Sequence, residues 1–126
     1  MQDYRKLDVW QKAHKLTLTT YAVASTFTTP PAWPLRDQLP RAVISVPSNI
    51  AEGAGRGSDA DFHRFLSHSL GSLNEVEYDL LLARDLEFMK ASEHARLCSE
   101  LEEVRRMLSG LMARLRASKP QPYGKR

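Results

Sequence analysis

The chain has 126 residues, 42% of them hydrophobic and 26% charged, with a net charge of +3, a size that suits one domain with a moderate core. No apolar run approaches the roughly 20 residues that a membrane-spanning helix needs, and Met1 to Arg5 lacks the charged-then-apolar order of a secretory signal, so a soluble cytoplasmic protein is expected. The single cysteine, Cys98, excludes an internal disulfide and a site built from several thiolates.

From the N-terminus, Leu7, Trp10, His14, Thr17, Tyr21 and Ala24 fall on one helical stripe, and Val9, Ala13, Leu16, Thr20, Val23 and Phe27 on a second. This predicts a helix from about Leu7 to Phe27 with two packed faces, one toward the other helices and one available to a second subunit. The following TTPPAWP, residues 28–34, cannot continue that helix, because consecutive prolines favour extended backbone. Pro34 suits the first turn of the next helix, and Trp33 is expected to lie as a lid over the bundle end.

The centre of the chain is LRDQLPRAVISVPSNIAEGAGRG, residues 35–57. Leu35, Leu39, Ala42, Val43, Val46 and Ile50 have helical spacing, yet Pro40 and Pro47 lie among them and three alternating glycines follow. Pro47 donates no N–H and its ring crowds the carbonyl of Val43, which predicts a kink or another donor for that carbonyl. Ser45, Ser48, Asn49 and Glu52 are the nearby polar candidates. Gly53, Gly55 and Gly57 predict a helix stop in left-handed backbone, a better reading than a phosphate loop, since no strand precedes them and no Gly-Lys-Ser/Thr follows.

Ser58 is an N-cap candidate with Asp59 and Asp61 on the positive end of a third helix, expected over about Asp59 to Leu86. Its small residues Ser67, Ser69, Gly71 and Ser72 predict close approach by a neighbouring helix. In the last helix, from about Ala91 to Ala117, Leu97, Leu101, Val104, Leu108, Leu111 and Leu115 alternate steps of four and three. Pro120, Pro122 and Gly124 end it. The expected organisation is an all-α, antiparallel up-down-up-down four-helix bundle over residues 1–118 with a flexible basic tail at 119–126.

Gln38, Leu39, Arg41, Ala42, Ser45, Val46, Pro47, Ser48, Asn49, Ile50, Ala51, Glu52, Gly53 and Arg56 together resemble the signature of the four-helix-bundle proteins encoded in intervening sequences of bacterial 23S rRNA genes. That family is similar in turn to the accessory variability proteins of diversity-generating retroelements. Leu7, Val9, Trp10, Ala13 and Tyr21, and then Phe62, Phe65, Leu66, Gly71, Ser72, Leu73, Glu75 and Glu77, extend the resemblance over most of the chain. Pro40 departs from it, standing where the family usually has a residue able to continue the helix. The resemblance implies closed homopentamers, and the retroelement relatives bind RNA or DNA and a reverse transcriptase through basic surface.

Two polar groups are candidates for function. Asn49, Glu52 and Arg56 share a strip at i,i+3 and i,i+4 spacing, with Asn74, Glu75 and Glu77 as possible partners on the third helix. Glu52 and Glu75 could form an acid/base pair or hold a hard cation, but bundle metal sites generally use a Glu-x-x-His pair, absent here, so a structural network over Ser45, Pro47, Asn49, Glu52, Gly53 and Glu75 is the stronger reading. His14, His63, His68 and His94 do not share a helix face, and no serine has a nucleophile-elbow setting. No catalytic group, metal or cofactor is expected.

The charge is uneven: residues 1–58 hold seven Lys/Arg against four acids, 59–103 four against eleven, and 104–126 seven against none. Arg36, Arg41, Arg56 and Arg64 around the central helix, and Arg105, Arg106, Arg114 and Arg116 on the last, are the nucleic-acid-binding candidates, contacting phosphate rather than bases. Cations also suit the negative end of a last helix without any ligand. The expected function is a non-enzymatic homo-oligomer that binds structured nucleic acid or a nucleoprotein partner through basic surface, with a nucleic-acid-processing protein among the candidate partners; the alternative is an interaction scaffold, without a nucleic-acid role, whose basic and acidic regions pair across copies.

Overall fold

In the computed structural model, which describes residues 3–118, the chain is all-α. A short 3-10 turn, Tyr4–Lys6, leads into α1, Asp8–Ala24; a second, Pro30–Ala32, leads into α2, Trp33–Ala54; α3 is Asp59–Asp85 and α4 is Ala91–Ser118. The proposed tail at 119–126 lies outside the described residues. Among those described, no helix is long and apolar enough to cross a membrane.

The four helices enclose one core, and each contributes its apolar stripe. Ala13 and Leu16 of α1, Leu39, Val43, Val46 and Ile50 of α2, Leu66, Leu73, Val76 and Leu80 of α3, and Leu97, Leu101, Val104 and Leu108 of α4 are almost wholly shielded from water. On α1 it is the Val9-to-Phe27 stripe that turns inward. The other stripe is left partly open, with Tyr21 exposed and Trp10 stacked on His14 at 5.0 Å. On α4 the seam runs out through Met112, while Leu111 and Leu115 are only partly buried against it.

The connections differ in detail from the sequence expectation. Pro30 and Pro31 form a 3-10 turn rather than extended chain, since the fixed φ of proline is also compatible with that turn. Trp33 is no lid: it is 43% exposed, donates its Nε1–H to the Thr28 carbonyl at 3.1 Å, and carries Arg36 over its ring at 5.1 Å. Phe27 and Ala32 are the buried residues there, and Phe27 meets Phe88 at 6.2 Å.

The helix stops are also redistributed. None of the described glycines has positive φ, and Gly55 ends α2 in right-handed backbone at φ −86°, because its N–H reaches Glu52 and Gly53 carbonyls without a left-handed residue. The left-handed residue is Glu87, at φ 65°, after α3. There the Phe88 N–H reaches the Ala83 carbonyl at 2.8 Å and the Glu87 N–H the Arg84 carbonyl at 2.9 Å, the paired bonds that close a helix C-terminus around such a residue. At the other end of α3, Ser58 caps as predicted, accepting the Asp61 N–H at 3.1 Å.

Helix α2 continues through both of its internal prolines. The Val43 carbonyl freed by Pro47 finds its donor on another helix: the Thr17 hydroxyl of α1 lies 3.3 Å from it and 2.8 Å from its own Ala13 carbonyl. Neither Asn49 nor Glu52 does this work. Those residues lie along other flanks of α2, while Thr17 faces Pro47 across the α1–α2 contact.

Candidate nucleic-acid interface

Along α2 and α3 the side chains meet in a polar seam. Gln38 reaches Glu75 at 3.5 Å, the Ser72 hydroxyl donates to Ser45 Oγ at 2.8 Å, and the buried Ser69 hydroxyl donates to the Val46 carbonyl at 2.8 Å. Asn49 turns back on its own helix, giving its amide to the Ser45 carbonyl at 2.8 Å and to Ser45 Oγ at 3.0 Å. Glu52 instead pairs with Arg56 at 3.1 Å. Of the residues expected to form a network, Asn49 bonds Ser45, which also accepts from Ser72, and Glu52 and Glu75 stand far from each other. Glu75 sits beside Gln38, and Glu52 follows Gln38 by some four turns of the same helix, roughly 20 Å of rise. They form no acid/base pair.

Close approach along this seam comes from Gly53, not from Gly71. A Cβ on Gly53 would lie 2.8 Å from Phe65 Cβ and 2.9 Å from Phe62 Cδ1, whereas one on Gly71 would meet nothing within 4 Å. Ser69 and Ser72 instead put their hydroxyls on α2.

The eight candidate arginines fall into four groups. Arg36 and Arg41 line a hollow beside the α1–α2 link with Tyr21, Ala24 and Asp37, and Arg36 lies 3.5 Å from Asp37. Arg105 is consumed by its own bundle: it holds Glu77 at 2.9 Å, Glu102 at 3.1 Å, and the side chain of Asn74. The remaining five lie in two places, Arg56, Arg64 and Arg116 around the start of α3, and Arg106 and Arg114 between α4 and α1. Arg56 and Arg64 stand over the Phe65 ring at 4.8 and 4.6 Å, and Arg116 reaches His63 Nε2 at 2.7 Å, tying the end of α4 to the start of α3. Arg106 and Arg114 line a hollow between α4 and the start of α1, together with Lys6 and with Asp8 as its one lining acid.

The acids of this region are unequally shared. Arg56 has Glu52, and Arg64 has Asp61 at 3.4 Å, but Lys6, Arg106 and Arg114 have no ion pair among the described residues. The positions of Lys6 and Phe65 were the parts that sequence reasoning missed. Lys6 lies a hundred residues from its α4 neighbours, and Phe65 reads as one more core residue at helical spacing.

Two titratable groups lie elsewhere. Burial, and then the neighbouring Glu75, raise the Asp79 carboxyl against a hydrogen bond from Gln38, and its Oδ2 is buried with no partner among the described residues. Cys98 Sγ lies 3.3 Å from His94 Nε2. Burial, followed by Glu77, raises the thiol, and burial, followed by Arg84, lowers the imidazole. That combination favours the neutral pair over an activated thiolate. Among the described residues no three of His, Cys, Asp or Glu converge as metal ligands.

The fold and this surface define an all-α, four-helix protein with a polar α2–α3 seam and a cation-rich end. Residues 5–110 match the 23S rRNA-intervening sequence protein family, and the chain belongs to that family. Its fold is shared by a crystal structure from Bacteroides thetaiotaomicron, a protein described as of unknown function from the S23 ribosomal protein family. That structure has a TM-score of 0.78 and 22% sequence identity, over 82% of this chain and 97% of the other. No curated protein matches the chain.

Proposed function

We propose that this chain is a non-enzymatic, cytoplasmic, up-down-up-down four-helix bundle that assembles with copies of itself and binds structured nucleic acid through its cation-rich end. The observation that carries the reading is the hollow in which Lys6, Arg106 and Arg114 stand without ion pairs among the described residues. Unpaired cations around a concavity attract polyanions, and arginine meets phosphate through two parallel hydrogen bonds. Arg106 and Arg114 lie roughly 12 Å apart by helical rise, so they address separate phosphates.

The antiparallel arrangement is supported by contacts that run in opposite order along each neighbouring pair. Trp10 lies near Ala51 while Ala24 lies near Pro40, and Gln38 meets Glu75 while Gly53 abuts Phe65. Arg105 meets Glu77 while Arg116 meets His63. Association is supported by exposed apolar side chains on two sides, Leu18, Tyr21 and Ile44 from α1 and α2, and Tyr78 and Leu81 from α3. A closed homopentamer is the number that the family resemblance implies.

Fluorescence anisotropy with a structured RNA, at low and at physiological salt, tests the reading. Binding that weakens steeply as salt rises is expected. No binding at low salt would return the chain to the scaffold alternative.

A further inference from the structure

The geometry points to a second kind of contact at the same end of the molecule: a platform made by Arg56, Phe65 and Arg64 that stacks the unpaired bases of a looped or single-stranded nucleic acid. This inference rests on the nucleic-acid reading above and adds to it what part of the ligand is recognised.

The platform is built by both helices. Phe65 is half-buried on α3 and held firmly, because Gly53 of α2 lets its Cβ approach to a distance that no side chain at position 53 would allow. One guanidinium from the turn after α2 and one from the first turns of α3 then lie over its ring, at 4.8 and 4.6 Å. Each is oriented by an acid on its own helix or turn, Glu52 at 3.1 Å for Arg56 and Asp61 at 3.4 Å for Arg64. The two arginine side chains remain about half exposed, 43% and 54%, so the guanidiniums are presented to solvent on a rigid base.

Those ion pairs decide the chemistry. Two arginines matched by two acids make a locally neutral cluster, which is a poor trap for phosphate. A guanidinium plane nevertheless remains a stacking surface whether or not its edge holds a carboxylate, and unpaired bases stack on aromatic rings and on arginine planes alike. Duplex bases are already stacked on one another and cannot use such a platform. The phosphate contacts belong to a separate hollow, that of Lys6, Arg106 and Arg114 between α1 and α4.

The test compares three RNAs of equal phosphate count: a hairpin with an unpaired loop, a fully paired duplex, and the same hairpin with abasic loop positions. They are titrated against the full chain, Arg64→Lys, Phe65→Leu and Arg106→Gln/Arg114→Gln, with thermal melts to confirm folding. The loop hairpin is expected to bind about tenfold more tightly than the duplex or the abasic hairpin. Arg64→Lys keeps the charge and loses the plane, so it should abolish that preference while leaving the salt dependence intact. Arg106→Gln/Arg114→Gln should weaken all three RNAs alike and flatten the salt dependence. Equal affinity for the three RNAs, or a preference that survives Arg64→Lys, overturns the stacking platform while the phosphate hollow stands. Absence of binding to any of them overturns both.

Discussion

Gly53 and Gly71 are both helical glycines, and their surroundings give them opposite roles. At Gly53 an added methyl would collide with Phe65 and Phe62, so Gly53→Ala is expected to lower stability by about 1–3 kcal/mol through overpacking. At Gly71 there is open space, so Gly71→Ala should raise the stability of the single chain by up to about 1 kcal/mol. Urea titration of both variants checks the pair. A loss of stability in Gly71→Ala would show that a second chain occupies that space. Asp79 offers a pH test at the same scale. Because burial raises its carboxyl above the ordinary value of 3.8, the folded chain holds a proton over a pH window in which the unfolded chain has released it. Stability from this group therefore falls as pH climbs through that window and stays lower above it. Asp79→Asn removes the ionisation and should raise the melting temperature at neutral pH, with the gain shrinking as pH drops toward 3.8.

At the scale of the element, α2 keeps Pro47 because a neighbouring helix takes over what that proline removes. The Thr17 hydroxyl is shared between its own Ala13 carbonyl and the Val43 carbonyl that Pro47 leaves without a donor. Thr17→Val should cost about 1 kcal/mol in the natural background. In the Pro47→Ala background the backbone N–H at 47 returns, and the cost of Thr17→Val should shrink. A double-mutant cycle by chemical denaturation reads the coupling, and equal costs in both backgrounds would show that Thr17 does not serve the freed carbonyl. α3 shows the converse economy: its termini are closed locally, by Ser58 at the start and by Glu87 with Phe88 at the end, so little is asked of neighbouring helices there.

Across the whole molecule, the fold sorts cations that are scattered in sequence. Arg105 is spent on Glu77, Glu102 and Asn74, while Lys6, Arg106 and Arg114, around one hollow, have no ion pair among the described residues. A cation that neutralises a phosphate contributes about one unit to the slope of log affinity against log salt. Arg106→Gln/Arg114→Gln should therefore flatten that slope by about two, and Arg41→Gln, beside the α1–α2 link, should leave it unchanged. Anisotropy titrations at several salt concentrations decide between these outcomes, and a slope that responds equally to Arg41→Gln would place the contact surface elsewhere.

The four helices, their core stripes and the Ser58 cap were legible in the sequence because they depend on spacing over a few residues, as in Leu97, Leu101, Val104 and Leu108. Of the run Ser45-Val46-Pro47-Ser48-Asn49, Ser45 and Val46 meet α3 and Asn49 bonds Ser45, while Pro47 and Ser48 face α1. What tertiary structure decided was every relation between distant residues. It chose Thr17 as the partner for a carbonyl twenty-six positions away, chose Gly53 over Gly71 as the point of close approach, and left Glu52 far from Glu75. It also determined which arginines are free, since that depends on which acids the packing brings within reach, and no local pattern in a chain carries that distance.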